Sequence, residues 1–169
     1  MSYSKLSILF LYIVLAIIFA LLLANLFTYK MKYKAIKKGV VNTSYTVWLS
    51  SILLSISVSI YSATGLFNGV LDFTLREGWN SQLLLPLTTT CALYLGFPLV
   101  LFMIWFYIVH VLAMVVFGKR KDLYEIESDN YGYFIVKGTI LFSGAWSLNH
   151  ILALILVHFN PVIAMPFYN

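Results

Sequence analysis

The chain has 169 residues, 62% of them hydrophobic and only 10% charged, against about 25% charged in soluble globular domains. That balance excludes a water-soluble domain and points to a polytopic membrane protein. The net charge of +5 does not indicate nucleic-acid binding, because the excess lies in two short clusters beside apolar runs, where topology and anionic lipid account for it.

Four apolar segments reach the roughly 20 residues that a membrane-spanning helix needs: 6–28, 46–66, 90–117 and 133–157. The first follows Lys5 and could be mistaken for a secretory signal. It is longer than a signal core of about 7–15 residues, and its basic cluster (Lys30, Lys32, Lys34, Lys37, Lys38) comes after the run. The second span opens at Asn42, whose side-chain oxygen can cap a helix N-terminus, and carries Ser51, Ser55 and Ser59 at every fourth position. Beyond it, Asp72, Arg76, Glu77 and Trp79 in the 67–82 loop read as an interfacial amphipathic turn.

The third apolar stretch, 83–117, is too long. As helix it would reach about 50 Å, against a hydrocarbon core of about 30 Å. Pro86 and Pro98 interrupt it, so 83–93 is an addition that either lies at the interface or extends the helix outward with a bend. The lone cysteine, Cys91, lies in this addition, which excludes disulfide scaffolds and paired-cysteine metal sites. A second basic cluster follows the span (Lys119, Arg120, Lys121). Next come Asp122, Glu125, Glu127 and Asp129, read as a solvated acidic face able to dock a basic partner. The fourth span opens at a second cap, Asn130, and carries Lys137, the four-residue stripe Thr139, Ser143 and Ser147, and then Asn149 and His150.

An offset of 88 residues lays the second half of the chain on the first. Asn42 meets Asn130, Tyr45 meets Tyr133, Ser55 meets Ser143 and Ser59 meets Ser147. The expected fold is therefore all-α: four transmembrane helices as two tandem hairpins, 1–82 and 83–169, forming one membrane domain. A two-span unit copied in tandem keeps its orientation, so a pseudo-two-fold axis should run along the membrane normal. Both basic clusters fall on one side, which the positive-inside rule makes cytoplasmic, with both termini outside.

In lipid, helices associate through close backbone approach and hydroxyl bonding. The two stripes are thus expected to face each other; a hydroxyl-lined path for ions is the alternative. Lys137 is expected to snorkel to the cytoplasmic headgroups, with a role as counter-charge to an anionic ligand or partner subunit as the alternative. His110 and His150 are candidates for a haem, yet their expected levels differ by about 13 Å, and His150 and His158 stand two helical turns apart, wide for a single metal ion. The sequence has no HExxH, no metal-spaced cysteine pair, no glycine-rich phosphate loop and no carboxylate within a predicted span. No metal or cofactor is expected.

The approach to the last span, Glu125-Ile126-Glu127-Ser128-Asp129-Asn130, carries a Glu-Ile-Glu-x-x-Asn pattern, and Val41-Asn42 is its degenerate copy. With the duplicated two-span unit and external termini, this resembles the YjfL-like inner-membrane proteins, a bacterial domain of unknown function. The resemblance covers the repeat units, hence most of the chain. It implies a bacterial inner-membrane component linked to envelope stress and brings no catalytic residues. The leading expectation is a non-enzymatic structural or regulatory subunit, as a homo- or hetero-oligomer, with anionic headgroups at its basic loops. A small channel or transporter, and a haem or quinone redox subunit, are the alternatives.

Overall fold

The computed structural model describes residues 3–37, 40–75 and 84–158. Four helices are long and apolar enough to cross a membrane: α1 (Tyr3–Ala35), α2 (Thr43–Thr74), α3 (Leu84–Phe117) and, after the short α4 (Asp122–Glu127), α5 (Tyr131–His158). A helix suits such a setting because it satisfies every interior backbone N–H and C=O within its own segment. A two-residue antiparallel pairing, Ile36 with Val41 and Lys37 with Val40, joins α1 to α2.

The α1–α2 and α3–α5 connections meet at one end. There Lys34 bonds Glu127 at 3.1 Å, and the Asn42 side-chain amide donates to the Ile126 carbonyl at 2.8 Å. We call this the lysine-rich end. At the other end Lys5 pairs with Asp72 at 2.5 Å, and the Tyr94 hydroxyl donates to the Leu156 carbonyl at 3.3 Å. The most extensive contact is between α2 and α5; α1 lies against α2, and α3 against both members of that pair.

On α1 the buried face is Tyr12, Ala16, Ala20, Ala24 and Thr28, one residue per turn on a single side. Alanines there allow close backbone approach. The second helix of the central pair uses the same device in a different phase from the one expected. Ser55 and Ser59 of α2 are buried, but Thr139, Ser143 and Ser147 of α5 are exposed. The face of α5 turned inward carries Gly138, Leu141, Ala145 and Leu152. A Cβ at Gly138 would overlap the Ser51 side chain, and one at Gly144 would overlap the Trp105 indole. Glycine permits an approach that serine does not, so the helix turned its glycines inward and its hydroxyls out.

One boundary differs from the sequence reading, and one open alternative is decided. Lys30, Lys32 and Lys34 belong to α1 itself rather than to a loop. Residues 84–93 are helix continuous with α3, and Pro98 lies inside it, so the addition lengthens the helix instead of lying at the interface. Of the expected amphipathic turn, Asp72 falls within α2; Arg76, Glu77 and Trp79 lie outside the described residues.

Candidate functional site at the lysine-rich end

Gly118, with φ of 77°, adopts the left-handed conformation just past α3 and stops the helix as such glycines commonly do. The chain then turns back, and α4 places Asp122 beneath it. At the end of α4 the Asn130 N–H bonds the Glu125 carbonyl at 2.9 Å and the Asp129 N–H bonds the Ile126 carbonyl at 3.1 Å. Asp129 has φ of 53°; the pair of bonds around a left-handed residue is a Schellman cap. This reversal launches α5 so that Lys137 comes level with Asp122.

Asp122 is the hub. One carboxylate oxygen accepts from the Tyr133 hydroxyl at 2.7 Å; the other faces His110 Nε2 at 2.9 Å and Lys137 Nζ at 2.5 Å. Burial alone would raise the Asp122 carboxyl. The His110 bond, the charge and bond of Lys137 and the Tyr133 hydroxyl outweigh it and hold the group well below the usual carboxylate range. The Lys137 side chain is 1% exposed, and its ammonium lies 4.8 Å from the Trp48 ring centroid, within cation–π range. His110 Nδ1 lies 3.2 Å from the Phe106 carbonyl. Both ring nitrogens therefore have oxygen partners.

These contacts overturn one expectation and narrow a second. Lys137 does not snorkel, because a carboxylate within reach compensates its desolvation inside the protein. The acidic segment is a solvated face only in part, since Glu127 and Asp129 are exposed and Asp122 and Glu125 are not. Asp122 is in the cluster, and Glu125 is buried between Arg120 at 3.4 Å and the Asn130 amide at 2.6 Å. Glu127 pairs with Lys34. Asp129 accepts from the Ser44 N–H at 2.8 Å, so it caps α2 from the other half of the chain. Asn130 accepts from the Tyr133 N–H at 3.3 Å and caps its own helix. Asn42, by contrast, turns its amide to Ile126.

Beside the cluster a cavity of about 770 Å³ lies between α1 and α3. Its inner wall is His110, Asp122, Tyr133 and Lys137; its rim carries Lys30, Arg120 and Lys121. Leu22, Leu26 and Met114 line the rest and are 58%, 64% and 48% exposed, so the cavity opens sideways. Among the described residues, no serine, threonine or cysteine lines it.

The remaining predicted residues lie elsewhere. Ser51, Ser55 and Ser59 each donate to the carbonyl four residues earlier, at 2.8, 2.7 and 3.2 Å, and Thr139 and Ser147 do the same. The Asn149 amide donates to the Val58 carbonyl at 3.3 Å across the α2–α5 contact. His150 is exposed and lies about 20 Å along α5 from Lys137 at 1.5 Å per residue. Sequence reasoning did not single out Trp48, or join Asp122 and Tyr133 to Lys137. The usable signal was a carboxylate after one predicted span and a lysine within the next. Compared with protein-family models, curated proteins and solved structures, the chain matches none.

Proposed function

We propose that the protein is a non-enzymatic, multi-pass component of a bacterial inner membrane, a structural or regulatory subunit that works within an oligomeric assembly. The observation that carries this is the face of α5 bearing Thr139, Ser143 and Ser147. It is exposed in the single chain, and the Thr139 and Ser147 hydroxyls already bond their own backbone. Such a face tolerates lipid yet lets a neighbouring helix come close. The polar cluster supports binding or architecture: both oxygens of Asp122 and both ring nitrogens of His110 have partners within the chain, so the cluster ties α3, α4 and α5 together. A channel lined by the serines has less support, since those hydroxyls are turned to their own carbonyls.

Within this reading the two halves are tandem hairpins about a pseudo-two-fold axis along the membrane normal. The starts of α2 at Thr43 and α5 at Tyr131 differ by the same 88 residues as the sequence repeat. The lysine-rich end is cytoplasmic and both termini are periplasmic. The resemblance to YjfL-like proteins would tie the assembly to envelope stress. The test is disulfide crosslinking in native membranes with Ser143→Cys in a Cys91→Ala background. We expect a dimer or a discrete mixed adduct. Monomer alone, with monomer alone in native mass spectrometry, would overturn the proposal.

A further inference from the structure

We infer that the cavity at the lysine-rich end holds the headgroup phosphate of one anionic phospholipid, whose acyl chains leave between α1 and α3. The inference rests on the membrane insertion and orientation proposed above. Four cationic side chains line the cavity (Lys30, Arg120, Lys121 and Lys137) against one carboxylate, Asp122. Asp122 and Lys137 offset each other as an ion pair, so Lys30, Arg120 and Lys121 remain to face an anion. Among the described residues, Lys30 and Lys121 have no carboxylate partner. Arg120 meets Glu125 through one guanidinium nitrogen, leaving the rest of its fork for phosphate oxygens.

The apolar lining decides which anion. Leu22 precedes Lys30 by about 12 Å of helix at 1.5 Å per residue, so below the basic rim runs a wall of Leu22, Leu26 and Met114 that faces sideways. A soluble phosphate would gain nothing from that wall, and an acidic peptide would have to reach it through lipid. A phospholipid matches both parts at once: charge at the rim, chains along the wall. Basic pockets between spans on the cytoplasmic side are a recognised mode of lipid headgroup binding, and the volume is within the range of small-molecule sites.

The test is native mass spectrometry of the full chain released from detergent containing equal phosphatidylglycerol and phosphatidylcholine. We expect one retained phosphatidylglycerol per chain, and about a tenfold or greater loss of retention in Lys30→Ala/Lys121→Ala, from about 1 kcal/mol per basic residue at an anionic surface. Leu26→Trp should expel the lipid while leaving every charge in place. Lys32→Ala/Lys119→Ala, the same charge loss outside the cavity, should retain it. Equal loss in both lysine pairs would overturn the site in favour of diffuse attraction. Displacement of the lipid by excess inorganic phosphate would overturn it in favour of a soluble anion. Failure of the underlying membrane reading would show separately, as protein extracted from membranes by alkaline carbonate.

Discussion

Neutralising one member of the Asp122–Lys137 pair should harm the fold more than neutralising both. The Lys137 side chain is 1% exposed and that of Asp122 12%, so solvent screens neither. Breaking a buried pair costs about 3–5 kcal/mol because it strands a charge. The two single variants should not be equal. In Lys137→Met the carboxylate keeps His110 at 2.9 Å and Tyr133 at 2.7 Å, which places the loss near 3 kcal/mol. In Asp122→Asn the ammonium keeps a neutral amide and the Trp48 and Tyr133 rings, placing the loss at about 4–5 kcal/mol. The double variant leaves no buried charge unpaired and should lose only about 1–2 kcal/mol, the cost of imperfect packing. For a chain of this size each kcal/mol moves the midpoint by about 2–4 °C. Thermal unfolding in detergent, followed by circular dichroism, should therefore rank the wild type above the double variant, then Lys137→Met, then Asp122→Asn. Additive losses in the double variant, or a Lys137→Met midpoint equal to the wild type, would refute the reasoning.

Other consequences are open to the same measurement. The depressed Asp122 carboxyl contributes stability that is fully present above its unfolded value of about 3.9 and is lost as pH falls through its lower folded value. The gap in melting midpoint between wild type and Asp122→Asn should hold from neutral pH to about 4.5 and narrow below about 4; a gap that widens there counts against the assignment. Gly138→Ala should cost about 1–3 kcal/mol by overpacking against Ser51, and adding Ser51→Gly should recover most of it, with no recovery locating the strain elsewhere. Asp129→Gly, which keeps the left-handed backbone but removes the acceptor of the Ser44 N–H, should lose about 1 kcal/mol. Asp129→Asn should lose less, and equal losses would mean that the cap contributes nothing.

Much of the helical layout was legible because lipid imposes simple constraints. Apolar length gave four candidate spans, and the 88-residue offset matched the separation of the α2 and α5 starts. Side-chain phase on α5 was not legible. Gly138 precedes Thr139 and Gly144 follows Ser143, so the two glycines flank the hydroxyl stripe on opposite sides, each about 100° of helix from its neighbour in the stripe, and nothing in a single sequence says which side turns inward. The alanine face of α1 went unread because alanine in an apolar run carries no contrast. Lys137 was misread for a different reason. Its partner lies 15 residues back, and the reversal that unites them depends on Gly118 and Asp129 taking left-handed backbone angles. Gly118 advertises that conformation by its residue type; Asp129 does not.

The cap that Asp129 places on α2 has a consequence for biogenesis. The N–H of Ser44 and the amide of Asn42 find their acceptors 85 and 84 residues later in the chain. At synthesis rates of about 5–20 residues per second, α2 waits some 4–17 s, uncapped at that end, before those acceptors are made. The start of α2 is therefore completed at the lysine-rich end only after the segment from Ile126 to Asp129 has been made.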